Sequence, residues 1–172
     1  MIKIIIDKED FSLINQLENP AEFLIDESHT SIDGKITLLI DEHHLSIVNT
    51  ILDKIKHENS LLMFETKDGW IRLKPKHIWY VESFGEEILL HTEVDGAVQV
   101  KHPMYELEAM MKPYHFVRIG KSYIVNMAKI QYIRVKLNAK LDLELMNGTH
   151  LEVMRTYVKP FKDALGIRRK DE

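Results

Sequence analysis

Between Leu61 and Met154 the chain keeps returning to apolar segments of about four to six residues, and turn residues end nearly every one before a helix could form. Leu61–Thr66, Trp70–Leu73, Ile78–Ser83, Ile88–Glu93 and Ala97–Lys101 follow one another in this way, with Lys67-Asp68-Gly69 and Asp95-Gly96 among the breaks. Tyr123-Ile124-Val125, Gln131–Val135, Leu141–Met146 and Thr149–Met154 continue the series. Such a rhythm reads as a succession of short strands. The last pair is the clearest local signal. Leu141, Leu143 and Leu145 alternate with Asp142 and Glu144, and Asn147-Gly148 predicts a hairpin closed by a type I′ turn. Two short helices are expected: one from Pro103, with Leu107, Met110 and Met111 on its apolar side and Lys112-Pro113 stopping it, the other over Thr156–Leu165, ending at Gly166.

The first sixty residues read differently. Met1–Ile6, Phe23–Ile25 and Lys35–Ile40 are strand candidates, the last coming after the turn signal Asp33-Gly34. Asp41 is placed to cap a helix over 42–56, whose Leu45, Val48, Leu52 and Ile55 recur at helical spacing. The polar run His57-Glu58-Asn59-Ser60 then ends the pattern. The expected organisation is a small α/β module over 1–58, a mostly β domain over 61–166 and a basic, polar tail over 167–172. So small a module cannot hide its own apolar helical stripe, which predicts a homodimer through residues 1–58 or a regulatory protein covering that face.

Charge divides along the same line. Residues 1–60 hold 5 Lys and Arg against 12 Asp and Glu, whereas residues 121–172 hold 11 against 6. A basic final third points to an anionic partner, nucleic acid being the commonest, with a solvated charged surface as the alternative. No apolar run approaches the roughly 20 residues of a membrane helix, and the N-terminus lacks the features of a signal peptide, which together predict a cytoplasmic protein with no membrane insertion. The chain has no cysteine, so disulfides, thiolate metal sites and cysteine nucleophiles are excluded. Nine histidines include no H-E-x-x-H, and His43-His44, adjacent on a helix, would point about 100° apart. No metal, cofactor or catalytic residue is nominated, and an enzyme is not expected.

Gly120-Lys121-Ser122 has the form of the end of a phosphate-binding loop, yet the first glycine of G-x-x-x-x-G-K-[ST] is replaced by His115. The segment after Ser122, Tyr123-Ile124-Val125, is strand-like instead of helical. Lys121 is therefore read as a cation projecting from a turn between two strands, after a glycine that permits an unusual backbone angle. Arg155 is read likewise, at the end of the last strand and ahead of the closing helix.

The run F-V-R-I-G-K-S-Y-I-V-N-M-A-K-I, then N-G-T-H-L-E-V-M-R-T-Y and a short helix, with I-W-Y-V-E-S upstream, resembles the LytTR DNA-binding domain of bacterial transcription regulators over about Leu61–Leu165. The resemblance implies about ten short strands with short helices, and loops that enter successive major grooves of double-stranded promoter DNA. By position it implies base contacts from Lys121 and Arg155, where a basic side chain can donate to guanine O6 and N7. Ser122, Tyr157 and Lys159, close to those loops, are candidates for phosphate contacts. A third contact region falls on Phe84-Gly85-Glu86-Glu87, nominating Gly85 and Glu86, although two glutamates repel phosphates while one can accept from cytosine N4. Gly120 stands where a histidine is common, and Met154 where a serine often precedes the arginine. Asn126 belongs to the same pattern and is expected to bond loose backbone groups at a strand end. Many relatives carry a phosphoacceptor receiver ahead of this domain, and residues 1–60 are too few to form one, so control by receiver phosphorylation is not expected. A β-rich module for protein interaction or RNA binding remains the alternative function.

Overall fold

In the computed structural model, which describes residues 2–7, 24–25, 35–40, 49, 52–53 and 60–167, the chain divides into two units, Met1–Asn59 and Ser60–Glu172. The first contains strands β1 (Ile2–Asp7), β2 (Leu24–Ile25) and β3 (Lys35–Ile40). They form an antiparallel sheet in the order β1-β3-β2, with Ile2 opposite Ile40 and Leu24 opposite Leu39. Asn49, Leu52 and Asp53 are helical and exposed, and the rest of the helix expected over 42–56 lies outside the described residues.

The second unit holds ten strands. A hairpin of β4 (Leu62–Thr66) and β5 (Gly69–Leu73) precedes β6 (Ile78–Phe84), β7 (Glu87–Thr92) and β8 (Ala97–Val100). Helix α1 (Met104–Met111) leads to β9 (Phe116–Arg118) and β10 (Tyr123–Asn126). β11 (Ile130–Val135), β12 (Leu141–Leu145) and β13 (His150–Val153) come next, and helix α2 (Val158–Ala164) comes last. A five-stranded antiparallel sheet, ordered β8-β7-β6-β10-β9, separates two cores. Val81, Leu90 and Ile124 are buried on one face with Phe64, Leu107 and Met111. The next residue along β10, Val125, points the other way, into a core with Leu143, Leu145, Val153 and Phe161 from the β11-β12-β13 sheet and α2. That alternation is the period of a strand buried on both sides, and each large aliphatic so buried contributes about 1.5–3 kcal/mol.

The hairpin β12–β13 keeps its expected register, with Leu143 opposite Leu151, but its turn differs. Only Gly148 takes a positive φ, 81°, while a type I′ turn needs one at Asn147 too. Met146, Asn147 and Gly148 instead make a three-residue loop in which the Gly148 amide donates to the Leu145 carbonyl and the Leu145 amide to the Thr149 carbonyl. Asn147 acts through its side chain, whose Oδ1 accepts from the Thr149 amide at 3.0 Å.

Asn126 ends β10 and is buried. Its Nδ2 donates to the Ile78 carbonyl at 2.9 Å and the Pro75 carbonyl at 3.3 Å, and its Oδ1 accepts from the Ala128 amide at 3.1 Å. One side chain thus joins the start of β6, the end of β10 and the turn after it. Left unmatched, those buried polar groups would each cost about 1–3 kcal/mol.

Candidate nucleic-acid interface

Topology gathers the nominated loops at one end of the second unit. β10 runs antiparallel to β6, with Tyr123 opposite Glu82, so the turn after β6 and the loop before β10 lie side by side. The Ser83 amide continues that pairing by one step, donating to the Ser122 carbonyl at 2.8 Å. On the other side the Met154 amide donates to the Ile119 carbonyl at 2.9 Å, which fixes the segment before Arg155 against the segment before Lys121. The structure thereby brings 84–87, 119–122 and 154–157 together.

Each loop has a distinct local cause. The Gly85-Glu86 turn places Gly85 at φ 61°, a conformation unfavourable for other residues at its first position, and leaves Phe84, Glu86 and Glu87 exposed. Gly120 corrects an expectation: its φ is not positive, and it is buried. A Cβ there would lie 3.4 Å from Met154 Cγ, an ordinary contact, so the glycine marks where two loops meet and not an unusual angle.

Arg118, a residue not nominated from the sequence, clamps the Lys121 loop. Its Nε donates to the Gly120 carbonyl at 3.1 Å, Nη2 to the Lys121 carbonyl at 2.8 Å and Nη1 to Glu108 Oε2 at 3.0 Å on α1. Its one signal in the sequence is a lone charge between Val117 and Ile119 in an apolar run. With its carbonyl held inward, Lys121 has an exposed side chain. Arg155 is also exposed, at the head of a single 3₁₀ turn, Arg155–Tyr157. Lys159 is exposed on α2, whereas Ser122 is half-buried and the Tyr157 ring packs against the second core beside Phe161.

Electrostatics distinguish these cations from their neighbours. Lys136, Lys140 and Arg134 lie in or beside the β11–β12 hairpin, where Lys136 reaches Asp142 at 3.2 Å and Lys140 reaches Glu152 at 2.7 Å, while Arg134 pairs with Glu144. Burial pulls the Asp142 carboxyl upward, but hydrogen bonds from His150 and Lys136 outweigh it and leave the pKa below its usual value. Lys129 pairs with Glu93 and covers the Trp79 ring. Among the described residues from 121 onward, Lys121, Arg155, Lys159 and Lys162 are the cations without a carboxylate partner. Arg168-Arg169-Lys170 lies outside the described residues.

A second polar group backs the loops. The Tyr123 hydroxyl donates to Glu82 Oε1 at 2.7 Å, and that bond, followed by burial, raises the Tyr123 pKa to about 12. The hydroxyl therefore remains a donor at neutral pH. Stabilisation from this shift is fully present below the ordinary tyrosine pKa of about 10 and is lost as pH rises toward 12.

The second unit is thus mostly β and carries these three loops, with exposed Lys121 and Arg155, at one end. The chain belongs to the LytTr DNA-binding domain family, whose model matches residues 68–166. It is 27% identical to the transcriptional regulatory protein LytR of Staphylococcus aureus over 106 residues, covering 62% of this chain and 43% of that protein. It is 34% identical to the sensory transduction protein LytT of Enterococcus faecalis over 139 residues, 78% of this chain and 57% of that one. A solved LytTr DNA-binding domain from Bacillus cereus superposes with a TM-score of 0.56 at 26% identity, covering 63% of this chain and 98% of that domain. The chain spans about half the length of these two curated relatives. No helix among the described residues is long and apolar enough to cross a membrane.

Proposed function

We propose that the chain is a sequence-specific, DNA-binding transcription regulator that reaches major grooves through the loops 84–87, 119–122 and 154–157. The observation that carries this reading is the juxtaposition of Lys121 and Arg155, two exposed cations without carboxylate partners on loops joined by the Met154–Ile119 backbone bond. Both donate to guanine edges. Ser122, Tyr157 and Lys159 bond phosphates, while Gly85 shapes a turn from which Glu86 can accept from cytosine N4. The protein acts by binding and not by catalysis, in the cytoplasm.

Competition separates this reading from the RNA-binding or protein-interaction alternative. Duplex carrying the protein's own promoter repeat is expected to outcompete random duplex and single-stranded RNA by about 10³-fold. Equal competition by all three would favour the alternative. Lys159→Ala is expected to weaken binding to every duplex alike and to reduce the slope of log affinity against log salt by about one unit, as loss of a single phosphate contact requires. An unchanged slope would remove Lys159 from the interface.

We infer further that residues 1–58 pair two copies or receive a regulatory protein, and that DNA affinity is not set by receiver phosphorylation. The full chain is expected to sediment as a dimer at micromolar concentration. A small phosphodonor is expected to leave its DNA affinity unaltered. A monomeric full chain would remove the pairing role, and a phosphodonor-dependent gain would refute the second inference.

A further inference from the structure

Tyr80, Glu82, His91 and Tyr123 come from three adjacent strands, β6, β7 and β10, with Tyr80 opposite His91 and Tyr123 opposite Glu82. They alternate with Val81, Leu90 and Ile124, which fill the first core from the opposite face. Glu82 is engaged at both oxygens. Oε1 accepts the Tyr123 hydroxyl at 2.7 Å, and Oε2 lies 2.9 Å from His91 Nε2. The His91 ring is itself stacked on Tyr80, with centroids 4.1 Å apart and planes 14° apart.

The position of this group in the fold gives it a role. Immediately beyond the Glu82–Tyr123 pair comes the Ser83–Ser122 backbone bond, after which the two segments part, one into the Gly85 turn and the other into the Lys121 loop. β7, which carries His91, is the strand that returns from the Gly85 turn. A carboxylate at the fork therefore holds both limbs of one loop and the root of the other. Charged acceptors make the stronger hydrogen bonds, so the carboxylate reinforces the single backbone bond beside it.

We propose that Glu82 is a positioning residue for DNA recognition, its two oxygens fixing the Lys121 loop relative to the Gly85 turn through Tyr123 and His91. The inference rests on the reading of these loops as DNA contacts. Glu82 itself touches no DNA.

The most direct test is Tyr123→Phe in the full chain, which removes one hydroxyl and keeps the ring that packs toward the second core. The substitution is expected to reduce affinity for the preferred duplex about tenfold, the scale of a lost bond to a charged acceptor, while random-duplex affinity and the salt slope stay at the parent values. Backbone amides of Ser83 and Ile119, which donate to the Ser122 and Tyr123 carbonyls, are expected to exchange faster. Glu82→Gln should act in the same direction, and the double substitution should cost less than the two single losses combined, because both remove one coupling. A merely structural role would lower the melting midpoint without changing discrimination by the folded protein. Preferred and random duplexes weakened equally, or a Tyr123→Phe protein that binds like the parent, would overturn the proposal. Should the parent show no duplex preference at all, the DNA reading would fail by that result, and unchanged exchange at Ser83 and Ile119 would independently sink the positioning role.

Discussion

Arg155→Ala is expected to reduce affinity for the preferred duplex by about 10- to 100-fold, since a bidentate guanidinium–guanine pair supplies roughly 1–3 kcal/mol of discrimination. The same substitution should relax preference at one base position and leave the melting midpoint unchanged. Both expectations come from the surroundings of Arg155: it is exposed, begins a 3₁₀ turn and has no carboxylate partner, so truncation orphans no buried charge. Arg155→Lys should recover nonspecific affinity but not the base preference, because an ammonium lacks the planar fork. Lys121→Ala should act in the same direction with a smaller effect. Measurement requires the preferred duplex and its single-base variants at several salt concentrations. If both alanine proteins bound every duplex like the parent, the two residues would be ordinary surface cations.

Phe161→Ala is expected to cost about 3–5 kcal/mol and to lower the melting midpoint of the second unit by more than about 10 °C. Phe161 is fully buried and is the one residue of α2 that is. Its ring closes the second core against Leu143, Leu145 and Val153. A helix of seven residues has little stability of its own, so removal of its anchor should release the helix and the turn carrying Arg155 together. Amide exchange through residues 155–165 should rise before the β6–β7–β10 sheet is affected. A midpoint shift of only a degree or two would show that the ring does not anchor α2.

Arg155 and Phe161 differ in how far their roles could be read from the sequence, and the same division runs through the molecule. The strands were legible because their cores demand a period of two: Leu141, Leu143 and Leu145 are buried where alternation placed them, and Leu107 and Met111 face inward on α1. The loops were legible as loops, since Gly85, Gly148 and Gly166 adopt positive φ. The reason for a given glycine was harder to see. Gly120 lies against Met154, thirty-four positions later, a contact that composition at position 120 cannot encode. The same holds for Arg118, whose three acceptors are set by how the chain turns after it and by Glu108 ten residues earlier. Glu82 and Tyr123 are forty-one positions apart and meet only through the β6–β10 register. Tyr157 was nominated for its hydroxyl, whereas its ring packs against the second core beside Phe161.

The distribution of charge was partly readable. The excess of base in the final third is plain in the sequence, but its division is structural. Arg134, Lys136 and Lys140 are neutralised across the β11-β12-β13 sheet, and Lys121 and Arg155 are not. Position relative to Asp142, Glu144 and Glu152, and not local sequence, decides which cations remain available to an anionic partner.

Selection of bound duplexes from a random pool by the full chain is the decisive measurement for loop-based DNA reading. One recurring motif containing guanine is expected to be enriched, with Arg155→Ala losing the preference at a single position of that motif. Recovery of no motif, or of the same motif with undiminished preference by Arg155→Ala and Lys121→Ala alike, would contradict the DNA-reading role of these loops.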